Sequence, residues 1–400
     1  MAGGDIMNIR HINYITSLLF TICYAYQLFY IPVSLFLKNR RAVNAINKRY
    51  AILICARNEE NVIGDLIDSI HEQDYPQDKI DVYVMADNCT DDTFEIAKSK
   101  GAYAFERHSS IVGKGYALQK LLDNIKEEYD GYLVFDADNI LSKDYIKEIN
   151  KSFADDVDAI TSYRNSKNYG SNWVSAGYAL WFLRESQFLN KARTILNTSA
   201  AVSGTGFMIS NKLLKEMGGW KYHLLTEDIE VSVDQIATGK KIIYCEKAEF
   251  FDEQPTDFKQ SITQRIRWTK GNLQVFSQYG GRLIEALSKG IFGAFDMLMA
   301  AMPAFFLSMM SFVLNLFCLS DIMSFAELIG NAYAMMFFLG LITTLSEWKH
   351  IRCSTAKKIL YLFTFPLFMG TYIPICFLSL FAKADWKPIK HQCTRKNMGF

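Results

Sequence analysis

Several acids in this sequence stand where short apolar runs end. Asp136-Ala137-Asp138 follows the run at residues 132–135. Alternate carboxylates at a strand terminus offer hard oxygen ligands to Mg²⁺ or Mn²⁺, ions that also take phosphate oxygens. Asp87 closes the run 80–86 and opens the polar stretch Asp87-Asn88-Cys89-Thr90-Asp91-Asp92-Thr93. A carboxylate there can accept from the imide N–H of a uracil, while an Asx turn capped by Thr93 accounts for the same residue types. Gly113-Lys114-Gly115 precedes a helical pattern. It lacks P-loop spacing, yet a lysine between glycines at the start of a helix can meet a diphosphate; a solvated loop lysine is the plainer reading. Thr226-Glu227-Asp228 heads the helical stripe Ile229, Val233 and Ile236, which Gly239 ends. A carboxylate beside a bound sugar can serve as general base for an attacking hydroxyl. Helix capping by Thr226, with acids at the positive end of the dipole, explains the same types. Gln264, Arg267 and Trp268 fall at i, i+3 and i+4 and share one helix face. Amide, guanidinium and indole together make a phosphate clamp beside a stacking platform, or an interfacial helix with a Trp anchor.

Such residues need a scaffold that gathers strand ends. Residues 50–55 are a continuous apolar run, as in a strand buried on both faces. Asn58 reads as an N-cap with Glu59 and Glu60 in a first turn, and Ile63, Leu66, Ile67 and Ile70 repeat at helical spacing. Strands over 80–86, 102–105 and 132–135 then alternate with helices over 93–100 and around Leu118, Leu121, Leu122 and Ile125. This alternation predicts a mostly parallel sheet whose ligands gather beyond the strands' C-terminal ends. The helix carrying Gln264 opens near Thr256 or Asp257.

Lipid accounts for the composition of the flanks. Charged residues make up 21% of the 400 positions, below the roughly 25% of soluble domains. A net charge of +1 excludes nucleic-acid binding by bulk charge and an acidic disordered chain. Eight cysteines without a C-x-x-C pair exclude a zinc or disulfide framework and fit a reduced, cytosol-facing protein. Residues 12–37 carry no charge and are long enough to cross a bilayer. Lys38, Arg40, Arg41, Lys48 and Arg49 follow them against Arg10 before, which places the chain after residue 40 inside. Uncharged runs recur at 297–320, 328–346 and 359–382, with Asp321 and Glu327 between the first two and Lys349, Arg352, Lys357 and Lys358 before the last. Three crossings put the tail outside, yet Lys383, Lys387, Lys390, Arg395 and Lys396 argue for inside. Pro366, Gly370 and Pro374 suggest that the last run is broken or re-entrant. The expectation is one span before the central region and two or three after it. Residues 282–289 read as an interfacial or a plain surface helix.

Five motifs in order, Ala56-Arg57-Asn58-Glu59, the Asp87 loop, Asp136-x-Asp138, Thr226-Glu227-Asp228 and Gln264-x-x-Arg267-Trp268, resemble the inverting family 2 glycosyltransferases. The closer likeness is to the membrane-embedded, processive branch that includes cellulose, chitin, hyaluronan and poly-N-acetylglucosamine synthases, and it covers about residues 50–275. The resemblance implies an α/β fold: a GT-A, Rossmann-like nucleotide-sugar-binding domain flanked by transmembrane helices. The chain would divide into an anchor (1–40), a cytoplasmic catalytic domain (41–280), and an interfacial helix with two or three spans and a basic tail (281–400), multi-pass in the cell membrane. By the same resemblance Asp87 holds the uracil, with Arg57 and Glu59 shaping that end, and Lys114 meets the diphosphate. Asp138, with Asp136, holds Mg²⁺ or Mn²⁺. Asp228, preceded by Glu227, is the base; Gln264 and Arg267 stabilise the departing diphosphate; Trp268 caps the acceptor sugar. Ser203-Gly204-Thr205-Gly206 resembles the small-residue loop beneath the acceptor. The implied reaction moves a hexose or N-acetylhexosamine from a UDP-sugar to a growing β-linked glycan. Single transfer to a lipid or short glycan is the alternative, and an inactive scaffold or transporter the rival from another class. With so few spans, a homodimer or a partner membrane protein would be needed to complete a polymer conduit; nucleic acid is not an expected partner.

Overall fold

The structure, a computed structural model, describes residues 2–38, 44–301, 303–318, 322–382, 391 and 393–395. Arg40, Arg41, Asp321, Lys383, Lys387, Lys390 and Lys396 lie outside the described residues.

The chain opens with α1 (Ala2–Phe36). Then β1 (Tyr50–Ala56), α2 (Ile63–His71), β2 (Ile80–Asp87), α3 (Thr93–Ser99), β3 (Tyr103–Arg107), α4 (Lys114–Asp123) and β4 (Gly131–Asp136) alternate as expected. These four strands pair in parallel in the order β3-β2-β1-β4. β1 shows why its apolar run is unbroken. Ala51 and Leu53 enter one buried cluster, Ile52 and Ile54 the cluster on the opposite face. Each fully buried Leu or Ile contributes about 1.5–3 kcal/mol.

Beyond β4 the sheet stays mostly parallel, as expected, but takes in reversed strands. β5 (Ile140–Leu141), α5 (Tyr145–Ser152), β6 (Ala159–Ser166), α6 (Trp173–Arg184), α7 (Lys191–Ile195), β7 (Phe207–Ser210), α8 (Asn211–Glu216), α9 (Glu227–Ala237) and β8 (Ile242–Asp252) follow. The eight-stranded order is β3-β2-β1-β4-β7-β6-β8-β5, with β7 antiparallel to β4 and β6, and β5 antiparallel to β8. The cause is local. The chain enters β7 beside the later part of β4, pairing Phe207 with Val134, and runs back along it to pair Ser210 with Gly131.

Other local expectations are also corrected. Asn58 is not an N-cap: it lies at φ 58°, and its Oδ1 accepts from the Thr90 amide at 2.8 Å, tying the β1 end to the β2 end. Likewise Thr93 is the first residue of α3 and Asp92 precedes it as the cap; the Asx turn is made by Asp91, which accepts from the Thr93 amide at 3.2 Å. α10 (Phe258–Ser288) opens at Asp257, whose side chain accepts from the Gln260 amide at 2.7 Å. It runs unbroken past residue 280, so 282–289 are its last turns and not a separate helix. Leu283 and Ala286 are buried there, and Arg282 pairs with Asp234 of α9.

Among the described residues three helices are long and apolar enough to cross a membrane: His11–Phe36, Phe325–Ser346 and Thr355–Phe381. The 297–320 run is split between α11 (Phe292–Ala301) and α12 (Pro303–Cys318), and α13 (Ile322–Ser346) follows. α12 packs along α1, with Asn13 donating to Asn315 at 2.8 Å. At the base of α1, Tyr26 and Tyr30 donate to Asp296 of α11, which also pairs with Arg193 of α7 at 2.7 and 2.8 Å. The last stretch kinks at Thr371 between α14 (Thr355–Gly370) and α15 (Tyr372–Phe381). Both of its ends touch the central domain. Lys357 donates to the Gly170 carbonyl at 2.6 Å, and Lys270 of α10 donates to the Ala382 carbonyl. Past α15, Arg395 pairs with Glu72 of α2 at 2.6 Å.

Candidate active site

One cavity of about 330 Å³ opens at the C-terminal ends of β1, β2 and β4. Arg57, Glu59, Asp87, Lys114, Asp136, Asp138, Glu227, Asp228, Gln264, Arg267 and Trp268 all line it. Residues from opposite ends of a 212-residue stretch thus share one space.

At the β2 end Asp87 is buried and pairs with Arg107 at 2.5 Å. The two are register partners at the ends of parallel strands. Glu59 faces the imidazole of His391, whose Nδ1 lies 3.0 and 3.1 Å from its two oxygens. Burial pushes the Glu59 carboxyl up, and His391 draws it back. For His391 burial works downward, but Asp138, Glu59 and Glu253 lift it to about 10.

Lys114 heads α4 and points back into the cavity, donating to Asp136 at 2.5 Å and to the Gly204 carbonyl at 2.8 Å, with Glu227 4.0 Å away. Burial disfavours its charge, yet Asp136 and Glu227 hold it above the ordinary lysine range. The helix start can sit this deep because Gly115 lies against the Tyr222 carbonyl, where any Cβ would collide. Asp138 is buried and accepts from the Glu253 amide at 3.0 Å. Beside it Asp252 is pushed up to about 6 by burial, with Arg164 opposing and Asp138 adding to the rise. Among the described residues no group of three or more His, Cys, Asp or Glu is arranged to hold a metal. One or two carboxylates completed by substrate phosphates are the usual Mg²⁺ arrangement, and Asp136 with Asp138 fits that use.

Asp228 lies in the first turn of α9, and its Oδ2 accepts from the Gly204 amide at 2.6 Å. Burial raises Asp228, with the Ile229 amide and Lys114 opposing. Glu227 is also raised, by burial first, with Lys114 opposing and Asp228 adding to the rise. Thr226 occupies the cap position, but its side chain makes no cap hydrogen bond. The threonine part of the capping explanation therefore fails, whereas the acids do stand in the first turn of α9. Thr226 instead meets α10: a Cβ on Gly271 would stand 2.5 Å from its Cγ2, so the glycine lets the two helices close.

That closeness brings Gln264, Arg267 and Trp268 over Asp228. Arg267 feels burial first, which lowers it, against the pull of Glu227, Asp136 and Asp228. Arg267 Nε and Gln264 Oε1 are buried with no hydrogen-bond partner among the described residues, as expected of groups built for a ligand. Trp268 stands edge-on to Tyr178 and Phe182, with ring centroids 5.6 and 6.0 Å apart. Arg265 points the other way, into an aromatic cage of Tyr178, Phe368 and Tyr372, and donates to Thr371 at 2.6 Å.

Trp181 and Phe182 also line the cavity, together with residues that sequence reasoning missed: Arg164, Glu185, Asp252, Gln254 and His391. Arg164 and Asp252 stand at the ends of adjacent strands β6 and β8 and pair there. The strand-end rule would have found them had β6 and β8 been recognised. Nothing in the sequence marks His391.

The family model described as "Glycosyltransferase like family 2" matches residues 48–271. A beta-monoglucosyldiacylglycerol synthase from Synechocystis is 25% identical over 241 residues, covering 57% of this chain and 48% of that protein. A poly-beta-1,6-N-acetyl-D-glucosamine synthase from Staphylococcus epidermidis is 25% identical over 236 residues, 56% of this chain and 55% of that one. The chain thus spans about half the length of these two relatives. The solved structure of the mannosyltransferase PcManGT from Pyrobaculum calidifontis, in complex with GDP-Man and Mn²⁺, superposes with a TM-score of 0.60 at 16% identity. It covers 92% of this chain and 99% of that one, and so shares the fold across both the central domain and the flanking helices.

Proposed function

The chain belongs to glycosyltransferase-like family 2, and on that footing we propose that it is an inverting, membrane-bound transferase using a UDP-sugar. The observation that carries the reading is the shared cavity, where Lys114, Arg267 and Gln264 face Asp136, Asp138, Glu227 and Asp228, and where Gln264 and Arg267 each keep a buried atom without a partner among the described residues.

In this reading Asp87 holds the uracil, with Arg57 and Glu59 shaping that end. Asp228 takes the proton of the acceptor hydroxyl, which attacks the anomeric carbon from the face opposite UDP, so an α-linked donor gives a β-linked product. Lys114, Arg267 and Gln264 meet the charge that grows on the departing diphosphate, the electrostatic contribution that usually dominates such catalysis. Mg²⁺ or Mn²⁺ held by Asp138 and Asp136 would supply further charge neutralisation when bound. Trp268 caps the acceptor.

The acceptor is proposed to be a growing β-linked glycan, as the name of the Staphylococcus relative suggests. Single transfer to a lipid is the second reading, favoured by the Synechocystis relative and by the few flanking helices. A second copy or a partner membrane protein would complete a conduit under the first reading alone. The proposed division keeps residues 1–40 as anchor, 41–280 as the cytoplasmic catalytic domain and 281–400 as the membrane part of a multi-pass cell-membrane protein, α10 bridging the second boundary.

The test is incubation of enriched membranes with a panel of UDP-sugars and Mg²⁺ or Mn²⁺, scoring UDP release and product size. UDP release with at least one donor is expected. A ladder of products supports chain growth, one lipid-soluble product supports single transfer, and no UDP release with any donor overturns the proposal.

A further inference from the structure

One wall of the cavity carries chemistry that the transfer described above leaves unused. α6 continues into a π turn, Glu185–Asn190, an irregularity frequent at functional sites. Glu185 opens that turn and lines the cavity. Among the described residues its carboxylate has one hydrogen-bonding partner, the Ser203 hydroxyl, at a long 3.4 Å. The guanidiniums around it are committed elsewhere. Arg164 pairs with Asp252, Arg193 with Asp296 at 2.7 Å, and Arg184 donates to Gln27 at 2.8 Å. They supply a positive field without bonding to it. Burial raises Glu185 while Arg193, Arg164 and Arg184 pull it back. A half-buried carboxylate with free lone pairs facing a cavity gains from a group that donates to it.

One loop fixes this group relative to Asp228. Ser203 touches Glu185, and the next amide, that of Gly204, donates to Asp228 at 2.6 Å. Two carboxylates therefore face one space, joined by consecutive residues. Trp181 precedes Glu185 by one helical turn on the same face of α6 and lines the cavity with Phe182 and Trp268. Aromatic faces beside a carboxylate suit a polyol, whose C–H surfaces pack on rings while its hydroxyls donate charge-assisted hydrogen bonds.

We propose that Glu185 binds a second hydroxyl of the acceptor, next to the hydroxyl that Asp228 deprotonates, so that the site selects polyols over simple alcohols. The inference rests on the transferase reading above. Its test uses the full chain in detergent or nanodiscs with three acceptor probes: n-dodecyl β-D-glucoside for a sugar, 1-monooleoylglycerol for a glycerol-type headgroup, and 1-dodecanol. Wild type is expected to favour one of the two polyols over dodecanol by at least tenfold in kcat/KM, and which one names the source. Glu185→Gln should raise the KM for that polyol at least tenfold and erase the preference, while UDP binding stays within threefold; Glu185→Asp should restore part of it. The inference alone fails if wild type uses dodecanol as well as either polyol, if Glu185→Gln leaves the polyol KM within twofold, or if that variant loses UDP binding. If wild type releases no UDP from any donor with any of the probes, the transferase reading falls, and this inference with it.

Discussion

Asp228, the proposed base, is half-buried, and burial works against its charge. The Gly204 and Ile229 amides and Lys114 moderate that effect, but the carboxyl remains raised. Because burial disfavours the anion, the group takes up its proton at a higher pH than a free aspartate, so activity is lost earlier on acidification. The acid limb of kcat/KM for UDP release is therefore expected above the ordinary aspartate value of about 3.9; a profile flat down to about pH 4 would contradict the environment described for Asp228. At this scale the sequence was informative because strand ends announce themselves. Asp87 and Asp136 each close an apolar run, and Lys114 and Asp228 each open a helix. Arg164 and Asp252 were missed because β6 and β8 were not recognised as strands, and Arg107 because it matters through Asp87 on the neighbouring strand, a pairing not visible along one chain.

Helix α10 is the element that assembles the two halves of the cavity. It crosses α9 at Gly271, where the Thr226 side chain fills the space a Cβ would need. Gly271→Ala should force the helices apart and destabilise the protein by about 1–3 kcal/mol, the usual range for overpacking a tight contact. Thermal melting in detergent would read this as a lowered Tm, and adding Thr226→Ala should recover part of the loss, since contacting residues are not additive. Equal Tm for wild type and Gly271→Ala would show that the contact is loose. The face shared by Gln264, Arg267 and Trp268 was legible from spacing. The role of Thr226 was not, because a threonine before two acids reads as a cap, and only the approach of α10 shows its packing role. The reversed strand β7 was equally hidden, since its direction is set by where the preceding loop re-enters the sheet.

Across the whole molecule, the membrane-flanking helices and the central domain are tied together at several points. Asp296, Arg193, Tyr26 and Tyr30 fasten α1 and α11 to α7. The stretch Thr355–Phe381 meets the span criterion by length and composition, yet its start and end both contact the central domain. Arg395 pairs with α2. Both end contacts lie on the same domain, as expected if this run is broken or re-entrant, with the basic tail on the side of the central domain. A fluorescent protein fused after Phe400 should then fluoresce in the cytoplasm; a tag reactive only from outside would oppose this arrangement. Charge counting alone could not decide this, because Pro366, Gly370 and Pro374 permit a break without specifying it.

The account depends most on Asp228 acting on an acceptor beside a separately bound donor. The most direct measurement compares wild type and Asp228→Asn for UDP binding and for UDP release from the preferred donor. The prediction is a fall in turnover of about 10²–10⁴-fold, the range for loss of a general base, with UDP affinity nearly unchanged. Near-normal turnover by the asparagine variant, with UDP bound as before, would contradict it.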